Sequence, residues 1–104
     1  MANVGATLTQ DPEDSLVYDM SWADFIGASG TLSASEWTIV PITVVDDTTL
    51  TKDNDSIGDT LQITYIRLIG GTAGRKYRIE NKVTIAGTPT QTAERSFFLK
   101  VKER

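Results

Sequence analysis

From Leu61 to Thr84 the chain alternates between two faces. Leu61, Ile63, Tyr65 and Arg67 fall on one side, and Gln62, Thr64, Ile66 and Leu68 on the other. After a break the alternation resumes. Tyr77, Ile79, Asn81 and Val83 share one face, and Arg78, Glu80, Lys82 and Thr84 the opposite one. A period of two carried by β-branched and aromatic residues predicts strands, here Leu61–Leu68 and Lys76–Thr84. Between them stand Gly70, Gly71 and Gly74. Glycine adopts positive φ at little steric cost, so this break predicts a sharp corner.

The same pattern predicts further strands at Asn3–Gln10, Ser15–Met20, Thr31–Val40 and Thr92–Lys102. In the last, Phe97, Leu99 and Val101 point inward, and Phe98, Lys100 and Lys102 outward. Pro41 stops a continuous central strand, and a short strand resumes at Ile42–Val45. The polar stretch Asp46–Asp59 reads as a surface loop with a scrap of strand at Thr48–Thr51. Asp11–Asp14, with its proline, and Ala86–Thr90 read as turns. Ser21–Ile26 breaks the alternation. Ser21 with Asp24 resembles a short capping box, so one helical turn or a bulged loop is expected, with Trp22, Phe25 and Ile26 closing the end of the core.

About seven short strands with regular turn signals predict an all-β, immunoglobulin-like Greek-key sandwich of antiparallel strands, one domain over residues 1–104. In such folds a corner tyrosine packs its ring in the core and bonds its hydroxyl back to the turn. Tyr77, three residues after Gly74, suits that role. Ile79 then occupies the inward position that holds a cysteine in antibodies, and Trp37, followed on its face by Ile39, is the candidate core tryptophan.

Composition narrows the chemistry. The 104 residues include no cysteine and no histidine, which excludes a disulfide framework, Cys/His zinc sites and the usual catalytic dyads and triads. A carboxylate hydrolase is the enzymatic reading left, and the weakest one. No stretch approaches the roughly 18 apolar residues of a membrane span. Met1–Val4 has neither a basic n-region nor an apolar h-region, so no signal peptide is expected and synthesis is expected in the cytoplasm.

The net charge of −4 is unevenly placed. Residues 1–59 hold 11 acidic groups and one basic, Lys52; residues 60–104 hold three acidic and nine basic. Either the two halves mix over one surface, or the molecule has an acidic and a basic face. The second arrangement would favour docking on another copy or on an oppositely charged partner.

Four candidate sites follow. Asp53-Asn54-Asp55-Ser56-Ile57-Gly58 begins like a calcium loop, but an EF-hand needs an oxygen ligand at Ile57, a glutamate at Thr64 and flanking helices. A looser calcium site drawn from Asp46, Asp47, Asp53, Asp55 and Asp59 stays open. Asp46 and Asp47 are adjacent, so in extended chain they face opposite ways and form no dyad by themselves. The glycine corner lacks the Gly-Lys-Ser/Thr ending and the following helix of a phosphate loop. Arg75, Lys76, Arg78, Lys82, Arg95, Lys100 and Lys102 lie on two adjacent strands with Phe98 outward. Overall acidity and few aromatics argue against a nucleic-acid stripe; an outward phenylalanine among arginines is the composition of a protein interface. The candidate interface is therefore Arg78, Lys82, Phe98 and Lys100, with Asp53 and Asp55 on the opposing acidic surface. No catalytic, cofactor-binding or metal residue is assigned.

Four stretches together resemble a known family. They are Asp11-Pro12 followed by Leu16-x-Tyr18-x-Met20-x-Trp22; Ser33-x-Ser35-x-Trp37-Thr38; Gly70-Gly71-Thr72-Ala73-Gly74-x-x-Tyr77-x-Ile79-x-Asn81; and Glu94-Arg95-Ser96-Phe97-x-Leu99-x-Val101-x-Glu103-Arg104. In this order they resemble the small immunoglobulin-like phage proteins called fiber-tail adaptors. The resemblance implies a non-enzymatic virion component, made in the bacterial cytoplasm and assembled at the tail or head–tail region. Its implied partners are other tail or fibre proteins and further copies of itself in a ring, with no cofactor, nucleic acid or membrane. The alternative is a displayed module that recognises a host glycan or protein through its loops.

Overall fold

The computed structural model describes residues 6–27, 30–59, 61–87 and 89–103. It is an all-β sandwich of seven strands with one helical turn. The elements are β1 (Thr7–Gln10), β2 (Ser15–Ser21), α1 (Ala23–Ile26), β3 (Leu32–Pro41), β4 (Leu50–Ile57), β5 (Ile63–Gly70), β6 (Lys76–Ile85) and β7 (Gln91–Val101). They form a four-stranded sheet, β1-β7-β6-β3, and a three-stranded sheet, β2-β5-β4. Neighbouring strands run antiparallel except β1, which pairs with β7 in parallel. Residues 3–5 of the expected first strand lie outside the described residues.

The core sits where the predicted inward faces meet. Phe97, Leu99 and Val101 of β7 and Tyr77, Ile79 and Val83 of β6 pack against Ile66 and Leu68 of β5, with Met20, Trp22, Leu32, Trp37 and Leu50 around them. Burying an aliphatic or aromatic side chain of this size stabilises the fold by about 1.5–3 kcal/mol each. A one-residue slip of β6 or β7 would turn this set to water, which fixes the register.

Three expectations need correction. Residues 42–45 form bends and a turn, and are no strand. The stretch taken for a surface loop contains an eight-residue strand, β4. It pairs with β5 alone, at the edge of its sheet. Only Leu50 is buried in it, and Ile57 packs against the core. An edge strand wet on most sides needs no apolar alternation, so the pattern was silent. Its charges and the bulge between Lys52 and Asn54 blunt an edge that would otherwise pair with other chains. Finally, α1 has no side-chain cap from a capping box, and Phe25 lies 53% exposed instead of closing the core.

Polar groups tie the sheets together inside the core. Asn81 of β6 accepts hydrogen bonds from Trp22 Nε1 at 3.0 Å and Thr64 Oγ1 at 2.6 Å. Its amide donates to Ser35 Oγ and the Glu36 carbonyl. Gln10 of β1 donates to the Leu68 carbonyl at 2.8 Å and accepts from the Tyr18 hydroxyl at 2.7 Å. Burial pushes the Tyr18 hydroxyl up to about 12, so it stays a donor at neutral pH. The Trp37 indole N–H is buried with no partner among the described residues.

Candidate docking surface

The corner between β5 and β6 requires its glycines. Gly70, Gly71 and Gly74 have φ of 82°, 92° and 86°. At Gly70 a Cβ would also meet the Thr49 carbonyl oxygen at 2.5 Å, so the chain passing beneath excludes a side chain.

Tyr77 is fully buried just beyond this corner. Its hydroxyl accepts a hydrogen bond from the Thr72 backbone N–H at 3.1 Å and donates to Asp47 Oδ2 at 2.6 Å. Asp47, which the sequence offers only as a loop acid or calcium ligand, has a role at this corner that sequence reasoning missed. Its carboxylate is completely shielded from solvent and both oxygens are occupied. Oδ1 accepts from the Thr49 backbone N–H and hydroxyl, and Oδ2 from Arg75 at 2.8 Å as well as Tyr77. The Arg75 guanidinium, with Thr49 and Tyr77 behind it, holds the Asp47 carboxyl well below the usual carboxylate range despite its burial. An aspartate spent in this way is no calcium ligand. The available signal was its setting beside Val44 and Val45, with Arg75 and Tyr77 after the corner, but no local pattern links positions so far apart.

The other acids do not gather either. Asp53 pairs with Arg67 at 2.7 Å and Asp55 with Lys52 at 2.8 Å. Among the described residues no group of three or more acidic side chains could hold a metal ion.

The predicted interface residues lie on the outer face of the four-stranded sheet. Arg78 stands opposite Phe98, Lys76 opposite Lys100, and Lys82 opposite both Glu94 and Glu36. Phe98 is half-buried, with Lys76 Nζ 4.6 Å from its ring centroid. Arg78 pairs with Glu80 at 2.8 Å. Positive charge therefore concentrates near the corner, at Lys76 and Lys100, while Lys82 sits farther along among acids. Asp53 and Asp55 belong to the other sheet and are not brought to this face.

At the opposite end Arg95 covers the Trp22 ring at 4.7 Å and the Phe25 ring at 5.6 Å, and pairs with Asp24 at 3.0 Å. The Arg95 hydrogen bond draws the Asp24 carboxyl below its ordinary value.

The molecule is thus a β-sandwich with a glycine corner, and Lys76 and Lys100 stand on its outer sheet face beside Phe98. The family model described as podophage GP4 fiber-tail adaptor protein gp77 matches residues 10–100, from the end of β1 almost to the end of β7. The chain belongs to this family of phage fiber-tail adaptors, structural components of the virion tail that contact other tail or fibre proteins. No curated protein and no solved structure gives a match.

Proposed function

We propose that the chain is a single immunoglobulin-like domain, made in the host cytoplasm, that joins tail and fibre proteins by surface docking. Strand order supports the fold reading: lettered in sequence, the sheets read B-E-D and C-F-G, with the first strand moved to the edge of G. Tail symmetry makes one copy in a ring the natural arrangement. The role is structural and needs no catalysis.

The observation that carries the docking face is Phe98, an aromatic ring kept half in water under Lys76, beside Lys100 and Arg78. A stable fold gains little from holding it there, whereas an interface gains an anchor. Phe98→Ala should leave the melting temperature nearly unchanged and weaken assembly. A large loss of stability would mean Phe98 belongs to the core. Solution mass by light scattering at low and high salt tests self-docking: a ring-sized species that dissociates with salt supports it. A monomer at every salt concentration removes it and favours the displayed module that binds host glycan or protein.

A further inference from the structure

The outer face of the four-stranded sheet changes character along its strands. The registers set its outward side chains in rows. Nearest the corner Lys100 stands beside Lys76. Phe98, Arg78 and Val40 make the next row, and Ser96, Glu80 and Thr38 the third. Glu94, Lys82 and Glu36 follow, and Thr92, Thr84 and Ala34 come last. Arg78 and Glu80 pair at 2.8 Å and cancel. What remains is positive charge at the corner end, from Lys76 and Lys100, and an acidic excess at the other, where Glu36 and Glu94 flank Lys82. In the chain beyond β3 and β7, Asp46 and Lys102 add one charge of each sign, and Arg75 is bound to Asp47. Shape runs the same way. At the corner end Phe98 lies under Lys76, whose Nζ is 4.6 Å from the ring centroid. At the other end small side chains leave a shallow hollow of about 300 Å³, lined by Ala34, Ser35, Glu36, Lys82, Thr84 and Thr92.

We infer that this face is a two-pole docking surface whose occupant is another virion protein of opposite polarity. That protein offers an apolar pocket rimmed by carboxylates where Phe98 enters, and a lysine or arginine that pairs with Glu36 or Glu94 at the hollow. Matched charges select partner and register, since like charges brought together across an interface are strongly unfavourable. A patch of one sign would accept an oppositely charged surface in any rotation about the contact. Two poles with an aromatic anchor between them and the corner accept one orientation, which a chain joining two bodies requires. A second copy is the poorer occupant. Each copy carries a net charge of −4, and two copies joined through the same face form a closed pair that hides the docking surface. The inference rests on the Phe98 docking reading and adds to it the partner's chemistry and orientation.

The test uses the full chain and phage particles assembled without it, with bound protein measured after sedimentation and folding checked by melting curves. Phe98→Ala reports on the docking face itself. K76E/K100E and E36K/E94K each reverse one pole. Both should bind about tenfold less than wild type, although their charge changes have opposite sign. E36Q/E94Q, which sets no further cation beside Lys82, should also bind less, by a smaller factor. Unchanged or tighter binding of E36K/E94K and E36Q/E94Q would overturn the second pole. Weaker binding of Phe98→Ala in the same series would then leave the docking reading intact, with a uniformly acidic partner. Equal binding of wild type and Phe98→Ala, or no binding of wild type, would overturn both. If K76E/K100E and E36K/E94K instead each lose a wild-type dimer in light scattering, and mixing the two restores it, the occupant is a second copy and the stated partner is wrong.

Discussion

The two ends of the sandwich bury polar groups in opposite ways. At the end near α1, Asn81 joins Trp22, Thr64, Ser35 and the Glu36 backbone in a network without formal charge. Its ionic element, Arg95 with Asp24, stays at the surface. At the corner end neutral Gln10 is joined by a buried carboxylate, Asp47, whose partners are an arginine, a tyrosine and a threonine. The neutral network holds one sheet to the other, since Asn81 and Thr64 sit on different sheets. The charged network holds a loop to a corner. Both ends bond one sheet to the other, through Asn81 and through Gln10, but only the corner end adds a charged network that shapes a surface.

This contrast predicts a graded series of effects. Asn81→Ala should be the most damaging, because it removes the short acceptor of the buried Trp22 indole and Thr64 hydroxyl and leaves them only bonds of 3.4 Å, to each other and from Thr64 to the Met20 carbonyl. At about 1–3 kcal/mol for each buried group left unpaired, a loss of about 3–5 kcal/mol is expected in urea unfolding. A value below that of any corner variant would erase the distinction between the ends.

Tyr77→Phe comes next. It leaves the ring in place and removes a hydroxyl bonded to Thr72 and Asp47, for an expected loss of about 1–3 kcal/mol. No change would mean that the corner bond contributes nothing.

Asp47→Asn sharpens the comparison through pH. The folded pKa of Asp47 is depressed, so its contribution is fully present above its unfolded value of about 4. It is lost as pH falls from there toward the folded value. Asp47→Asn should therefore lie well below wild type in urea midpoint at pH 7, and the gap should narrow at about pH 3. The corresponding gap for Asn81→Ala should owe nothing to an Asn81 titration. A pH-independent gap for Asp47→Asn would deny that its charge fastens the loop.

Asp24→Ala should have the smallest effect. Its side chain is 74% exposed, and exposed pairs contribute little to stability. Its melting temperature should be indistinguishable from wild type in moderate salt.

The same two ends show how far the sequence could be read. Strand β6 was legible because it is central: with neighbours on both sides, its inward residues, Tyr77 to Val83, must be buried and its outward ones wet, so burial writes a period of two. Strand β4 was hidden because an edge has no such requirement, and Lys52 to Asp55 answer to solvent and to the need for a blunt edge. The glycine corner was legible because positive φ restricts the residue type locally. Asp47 was not, since its burial depends on Arg75 and Tyr77 after the corner, almost 30 residues on. The candidate face was read as Phe98 with its basic neighbours. The acids expected on the opposing surface, Asp53 and Asp55, lie on the other sheet, where Asp53 pairs with Arg67 and Asp55 with Lys52.

We propose that docking uses the outer face of the four-stranded sheet around Phe98. Amide hydrogen exchange on the full chain, free and bound to particles assembled without it, tests this directly. Protection on binding should appear at Lys76–Arg78 and Phe98–Lys100, with β2 and α1 unchanged. Protection confined to Ser15–Ser21 and Ala23–Ile26, with the corner end exchanging as in the free protein, would contradict it.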